Sequence, residues 1–258
     1  MKLALFSPYG TLHRESGLLY LVANYLAKNG ADVTQLRCDG ALPACGRDRS
    51  GGVARTPFQC ARCMNEQRSL AQWAGGSTRD ISTFVMPEDV LQTFEWIHGV
   101  PTESLARVEF RGVNLWGACI SEMQMRWEDF DPSALTEAQQ ADIRALFVSY
   151  VRVAVASERF IEQWKPTTVL ISSIHDPMAH ALLVQARLAK IEVAVFSFDS
   201  EEEAVVVESL TTQERYTTKL VLEGVASMRS DPRTWGPEVT AVVHEVLTYL
   251  GYAPDRVV

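Results

Sequence analysis

The stretch MKLALFSPYGTLHRESGLLYLVANYLAKNGADVTQLRC (residues 1–38) decides the fold. Leu3 to Phe6 is a short apolar run, stopped by Ser7-Pro8-Tyr9-Gly10. Leu18, Leu21, Val22, Tyr25 and Leu26 then recur at helical spacing. Ser16 stands where a cap is expected, and Gly30 follows Lys28 at the far end. ADVTQLRC (31–38) reads as a second strand. Strand, loop, helix and strand within so few residues is a βαβ unit, the opening of a parallel, doubly wound sheet.

The same pattern returns later. Thr136-Glu137-Ala138-Gln139 is a capping box. From it Ile143, Leu146, Phe147, Tyr150, Val151, Ala154, Ile161 and Trp164 stripe one face of a long helix that Lys165-Pro166 stops. TTVLISS (167–173) is a buried strand, Pro177 to Lys190 a helix, and EVAVFSFD (192–199) another strand. Between the two units, a helix running to Trp73, a strand within 77–86 and a helix over 87–97 are expected. Residues 106–120 have no clear period. EAVVVESL (203–210) is strand or helix start, and residues 239–250 carry a helical stripe. The sequence therefore predicts an α/β fold. It is a single Rossmann-like domain over 1–258, doubly wound around a mainly parallel sheet, with a cysteine-rich insertion at 38–63.

Composition narrows the functions. The chain has 258 residues, 47% of them hydrophobic, enough to bury a core without a metal or disulfide. A net charge of −8 gives no general attraction for nucleic acid or anionic membrane. The apolar start is shorter than a secretory signal, and no run approaches the roughly 18 apolar residues of a membrane span. A cytoplasmic location with reduced thiols is expected. GxGxxG after the first strand, GxxxxGK[ST], HExxH and GxSxG are all absent. Those absences weigh against the common dehydrogenase, NTPase, zinc-protease and hydrolase readings.

Four of the five cysteines crowd into CDGALPACGRDRSGGVARTPFQCARC (38–63). Cys60 and Cys63 form a CxxC, while Cys38 and Cys45 bracket a tight Gly- and Pro-containing turn. Four thiolates from two pairs suit a tetrahedral structural zinc, although the first pair is spaced more widely than usual. A redox pair and four unrelated thiols are the competing readings. Cys119, among Trp116, Gly117, Ala118 and Ile120, reads as buried and inert.

Open α/β sheets place ligands at the carboxyl ends of strands. Tyr9, Gly10 and His13 follow the first strand, His175 and Asp176 follow 167–173, and Asp199 ends 192–199. His175 and Asp176 are candidates for acid–base chemistry, with Asp176 equally suited to cap the next helix. His180, one turn on, could join His175. Arg55 and Arg62 are candidate anion ligands from the cysteine loop, against the alternative of a solvated face.

The FSP loop, the helix and the strand running into Cys38-Asp39-Gly40-Ala41-Leu42-Pro43-Ala44-Cys45, with Cys60-Ala61-Arg62-Cys63 beyond, carry a resemblance. They look like the N-terminal half of bacterial surface or capsular polysaccharide biosynthesis proteins similar to GT-B glycosyltransferases. The resemblance implies an acceptor-side glycosyltransferase-like domain that lacks the donor-binding half. It also implies a sugar or sugar-nucleotide ligand and a separate donor-binding chain as partner. The alternative is a non-catalytic, metal-stapled Rossmann-like module, cobalamin-type or scaffold.

Overall fold

The computed structural model describes residues 1–7, 14–45, 57–199, 204–209, 215–219 and residue 233. Among the described residues β1 (Lys2–Phe6), β2 (Asp32–Arg37), β3 (Ser77–Asp80), β6 (Thr168–Ile171) and β7 (Glu192–Asp199) form one parallel sheet. Its order is β3-β2-β1-β6-β7, continued antiparallel by β8 (Ala204–Ser209) and β9 (Arg215–Lys219). The two βαβ units read from the sequence thus join into one sheet. The α/β, Rossmann-like, doubly wound assignment holds.

Strand periodicity divides the core in two. Leu3 and Leu5 of β1, Leu170 of β6 and Ala194 and Phe196 of β7 pack with α1 (Arg14–Lys28) and α2 (Pro57–Trp73). Their neighbours Ala4, Phe6, Val169, Ile171, Val193 and Val195 face the opposite way. There they meet α4 (Leu115–Arg126), α5 (Glu137–Trp164) and α6 (Pro177–Leu188). Alternating side chains point to opposite faces, so a strand buried on both sides must be apolar throughout. Leu170 and Ile171 are fully buried, and burying each such side chain is worth about 1.5–3 kcal/mol.

Local signals fix several boundaries. The Thr136 hydroxyl accepts from Gln139 N while Gln139 Oε1 accepts from Thr136 N, so the capping box at the start of α5 is formed. Lys165 adopts φ 52 and ends α5 ahead of Pro166. Helix α3 (Pro87–Gly99) starts at its proline. Residues 106–120 resolve into a two-residue hairpin, β4 (Glu109–Phe110) with β5 (Val113–Asn114), followed at once by α4. The strand β9 went unread in the sequence, and within EAVVVESL Ala204–Ser209 is an antiparallel strand. The helical stripe at 239–250 lies outside the described residues. Among the described residues no helix is long and apolar enough to cross a membrane.

Candidate functional site

The sheet order puts β1 beside β6, and the connections leaving these two strands run in opposite directions. That is the switch point at which open α/β sheets leave a crevice. The loop from β6 to α6 emerges here. Asp176 caps α6: its Oδ1 accepts from Met178 N at 2.9 Å and from Ala179 N at 2.8 Å, and Pro177 occupies the first turn. The capping reading of Asp176 is the one the geometry realises.

Beside this loop lies a cavity of about 300 Å³. One wall is α4, through Asn114, Gly117, Ala118 and Ser121; the other is Ile174, His175 and His180, with Val113 at the edge. The α4 residues sit at i, i+3, i+4 and i+7, one face of the helix, and small side chains there leave the space open. Asn114 caps α4, its Oδ1 accepting from Gly117 N at 2.6 Å and its Nδ2 donating to Ala106 O at 3.0 Å. A Cβ on Gly117 would stand 3.3 Å from Asn114 Oδ1. The glycine therefore keeps both cap and cavity wall in place. The Ser121 hydroxyl has no hydrogen bond to any described residue.

His180 is the chemically distinctive wall residue. Its Nδ1 is 2.9 Å from the Tyr150 hydroxyl of α5, with the rings tilted by 40° at 6.0 Å. Burial, seconded by the positive charge of Arg187, holds the imidazole below its ordinary pKa, so it is neutral at pH 7. Burial also pushes up the Tyr150 phenol, with the neighbouring Cys119 adding to the effect, so it stays protonated. Nε2 of His180 has no hydrogen-bond partner among the described residues. A neutral imidazole whose second nitrogen is free beside a cavity can take up or release a proton there.

Helix α4 is fixed from behind. Glu122 and Arg126 are almost completely buried and paired at 3.1 Å, and Arg126 Nη2 donates to Cys45 O at 2.7 Å. This ties the cavity wall to the cysteine segment. That segment is held by other side chains too. Ala44 N donates to Ser149 Oγ at 2.9 Å. Arg152 donates to Ala41 O, Gln67 donates to Cys38 O, and Ser82 donates to Asp39. Cys38, Leu42, Ala44 and Cys45 are buried in the core. Gly40 has φ +91, a conformation that demands glycine. Packing and backbone geometry thus account for the cysteine, glycine and leucine of the CDGxLPxC pattern.

The other residues singled out by sequence fare variously. His175 lines the cavity. Arg62 is exposed on α2 and pairs with Glu66 at 2.9 Å, as a solvated face would. Tyr9, Gly10, His13 and Arg55 lie outside the described residues, as does the side chain of Asp199. Cys38, Cys45, Cys60 and Cys63 are not joined in disulfides, and among the described residues no group of three or more His, Cys, Asp or Glu is placed to hold a metal. Cys119 is buried, as expected, and burial raises its thiol pKa. Sequence reading passed over Tyr150 as one more core residue of the α5 stripe. The only signal was a hydroxyl in a largely aliphatic row. Gly117 fell in the stretch without a clear period and Ser121 just beyond it.

No family model matches the chain, and no curated protein does. Similar solved structures include a deacetylase from the biosynthesis pathway of teicoplanin, 17% identical, with a TM-score of 0.39 over 76% of this chain and 67% of that one. A CDPS from Fluoribacter dumoffii is 9% identical, with a TM-score of 0.43 over 72% of this chain and 82% of its own. The PvcA protein from Pseudomonas aeruginosa is 15% identical, with a TM-score of 0.37 over 72% of this chain and 70% of its own. Likeness this distant says nothing of chemistry. None of the three is a GT-B glycosyltransferase, and no family model matches over the cysteine segment. The resemblance to polysaccharide biosynthesis proteins is overturned, and with it the acceptor-side transferase function. The alternative, a non-catalytic module stapled by metal, gains no support either from the described residues.

Proposed function

We propose that the chain is an enzyme that moves protons on a small molecule bound between α4 and the β6–α6 loop, with His180 as the acid–base group. The observation that carries this is the 2.9 Å contact between the Tyr150 hydroxyl and His180 Nδ1 at the cavity wall. A phenol both donates and accepts. With Nδ1–H donating to Tyr150, Nε2 presents its lone pair and is a base. With the Tyr150 O–H donating to Nδ1, Nε2–H is a hydrogen-bond donor. As a base the ring takes a substrate proton on Nε2 and becomes an imidazolium whose Nδ1–H still donates to Tyr150; as an acid it returns that proton from Nε2, a role worth about 10²–10⁴ in rate. His175, at the cavity wall, is placed to hold the substrate, while Asp176 fixes the loop that carries it. A zinc at Cys38, Cys45, Cys60 and Cys63 is a separate proposal of the spacing. It would be structural, and Gln67 Nε2, donating to both Cys38 O and Cys63 Sγ at 3.4 Å, already sets the CxxC of α2 beside the 38–45 segment. Five cysteines with no disulfide between them support a reducing, cytoplasmic setting.

The test is turnover. Purified protein is incubated with a small-molecule extract in D₂O, and consumed or deuterated species are followed by mass spectrometry. The wild type is expected to consume or exchange at least one species, and His180→Gln to lose that activity. Equal turnover by the two proteins would refute the role of His180.

A further inference from the structure

The cavity between α4 and α6 is flanked by two helix starts, an arrangement that in many proteins binds phosphate. Here both starts are occupied by the chain itself. On α6, Pro177 has no N–H, Met178 and Ala179 donate to the Asp176 carboxylate, and His180 N donates to Asp176 O at 2.9 Å. On α4, Leu115 N donates to Val108 O at 2.9 Å and Gly117 N to Asn114. The cap on α6 is itself an anion, which offsets the positive end of the helix. Among the described lining residues there is no Lys or Arg. The two imidazoles are the only titratable side chains, and His180 is neutral at pH 7. Arg187, the cation that His180 senses, lies seven residues along α6, about 10 Å by helical rise, and does not line the cavity.

From this we infer that the cavity takes an uncharged molecule bearing hydroxyl or amide groups, and rejects phosphates and carboxylates. The inference rests on the site proposed above and names its substrate class. An anion entering would lose its hydration and find, among the described residues, no free N–H cluster and no cation in exchange. A neutral hydroxyl or amide finds three partners in reach of one space: the Ser121 hydroxyl, His180 Nε2 and the His175 ring. Each is a donor or acceptor without a partner among the described residues. The volume of about 300 Å³ suits a ligand at the small end of the usual range.

The experiment is an NMR titration of the full chain labelled with ¹⁵N-histidine, at pH 7.5. The probes are N-methylacetamide and glycerol on one side and inorganic phosphate and acetate on the other, all at equal ionic strength. Probes this small bind weakly, so the readout is a saturable shift of the His180 ring signals rather than tight binding. The neutral probes are expected to shift His180, and the anions to leave it in place. Ser121→Leu, an exposed helical position that tolerates leucine, is expected to fill the space and abolish the shift. A shift with phosphate or acetate overturns the inference. So does the absence of any shift with the neutral probes, or a shift that survives Ser121→Leu. The underlying site is judged separately, by a pH titration of the same labelled chain without probe: a His180 that titrates at the ordinary imidazole value would refute the buried acid–base group whichever probe binds.

Discussion

At the scale of the residue, His180 and Tyr150 define one another. Burial is the main reason the imidazole is held down, and the hydroxyl is the partner of Nδ1. These two effects separate in a single variant. Tyr150→Phe keeps the burial, so His180 is expected to titrate below about 6.5, the ordinary imidazole value, in both proteins. The variant loses the partner of Nδ1, so the ratio of the two neutral tautomers, read from ¹⁵N shifts, is expected to change, with turnover falling about tenfold for roughly 1.4 kcal/mol. An unchanged tautomer ratio would show that the contact does not orient the ring. The sign of the pH effect on stability follows from the same shift. The unfolded imidazole binds a proton at higher pH than the folded one. Above about 6.5 neither state is charged and the contribution is flat. As pH falls from there toward the folded pKa, the unfolded state gains protons first and stability declines.

At the scale of the element, α4 is the part whose position the cavity depends on. The chain enters it from a two-residue hairpin, Asn114 caps it, and the Glu122–Arg126 pair locks its far turn onto the cysteine segment. A buried ion pair gives little net stability by itself, but removing the Glu122 carboxylate takes away the counter-charge 3.1 Å from Arg126 in the core. Glu122→Gln is therefore expected to destabilise the protein by about 3–5 kcal/mol, measured by urea unfolding. Glu122→Met with Arg126→Leu, which removes both charges, is expected to lose far less. Equal losses would mean that the pair acts through shape rather than charge.

At the scale of the whole molecule, β1, β6 and β7 are buried on both faces by helices, and no two cysteines are joined in a disulfide. Backbone groups of 38–45 already have partners on α2, α4 and α5. Removing metal should therefore not unfold the chain. The far-ultraviolet circular dichroism spectrum at 25 °C is expected to be the same with and without EDTA, and to be kept by Cys60→Ser, whatever local stability a zinc adds. Loss of that spectrum on chelation would show that an ion holds the fold.

The sequence by itself determined the layers and their order of succession. β1, α1, β2, α5, β6, α6 and β7 were readable because period and punctuation are local: apolar runs, the Thr136 capping box, the Lys165-Pro166 stop. Even His175 and Asp176 could be placed at a strand end. It did not determine what those ends would face. Tyr150 and His180 are thirty residues apart on different helices, and a tyrosine in a helical stripe looks the same whether it fills the core or orders an imidazole. Nor does any local signal say that α4 will stand opposite the β6–α6 loop, since its first turns follow a hairpin too short to show a strand period. The cysteine segment misled for the same reason. Its cysteine, glycine and leucine answer to distant partners, a core packed by α5 and a turn that requires glycine, and so suggested a family that the chain does not match. Local energetics write the elements into the sequence, whereas the site arises from contacts between elements, which only the tertiary packing sets.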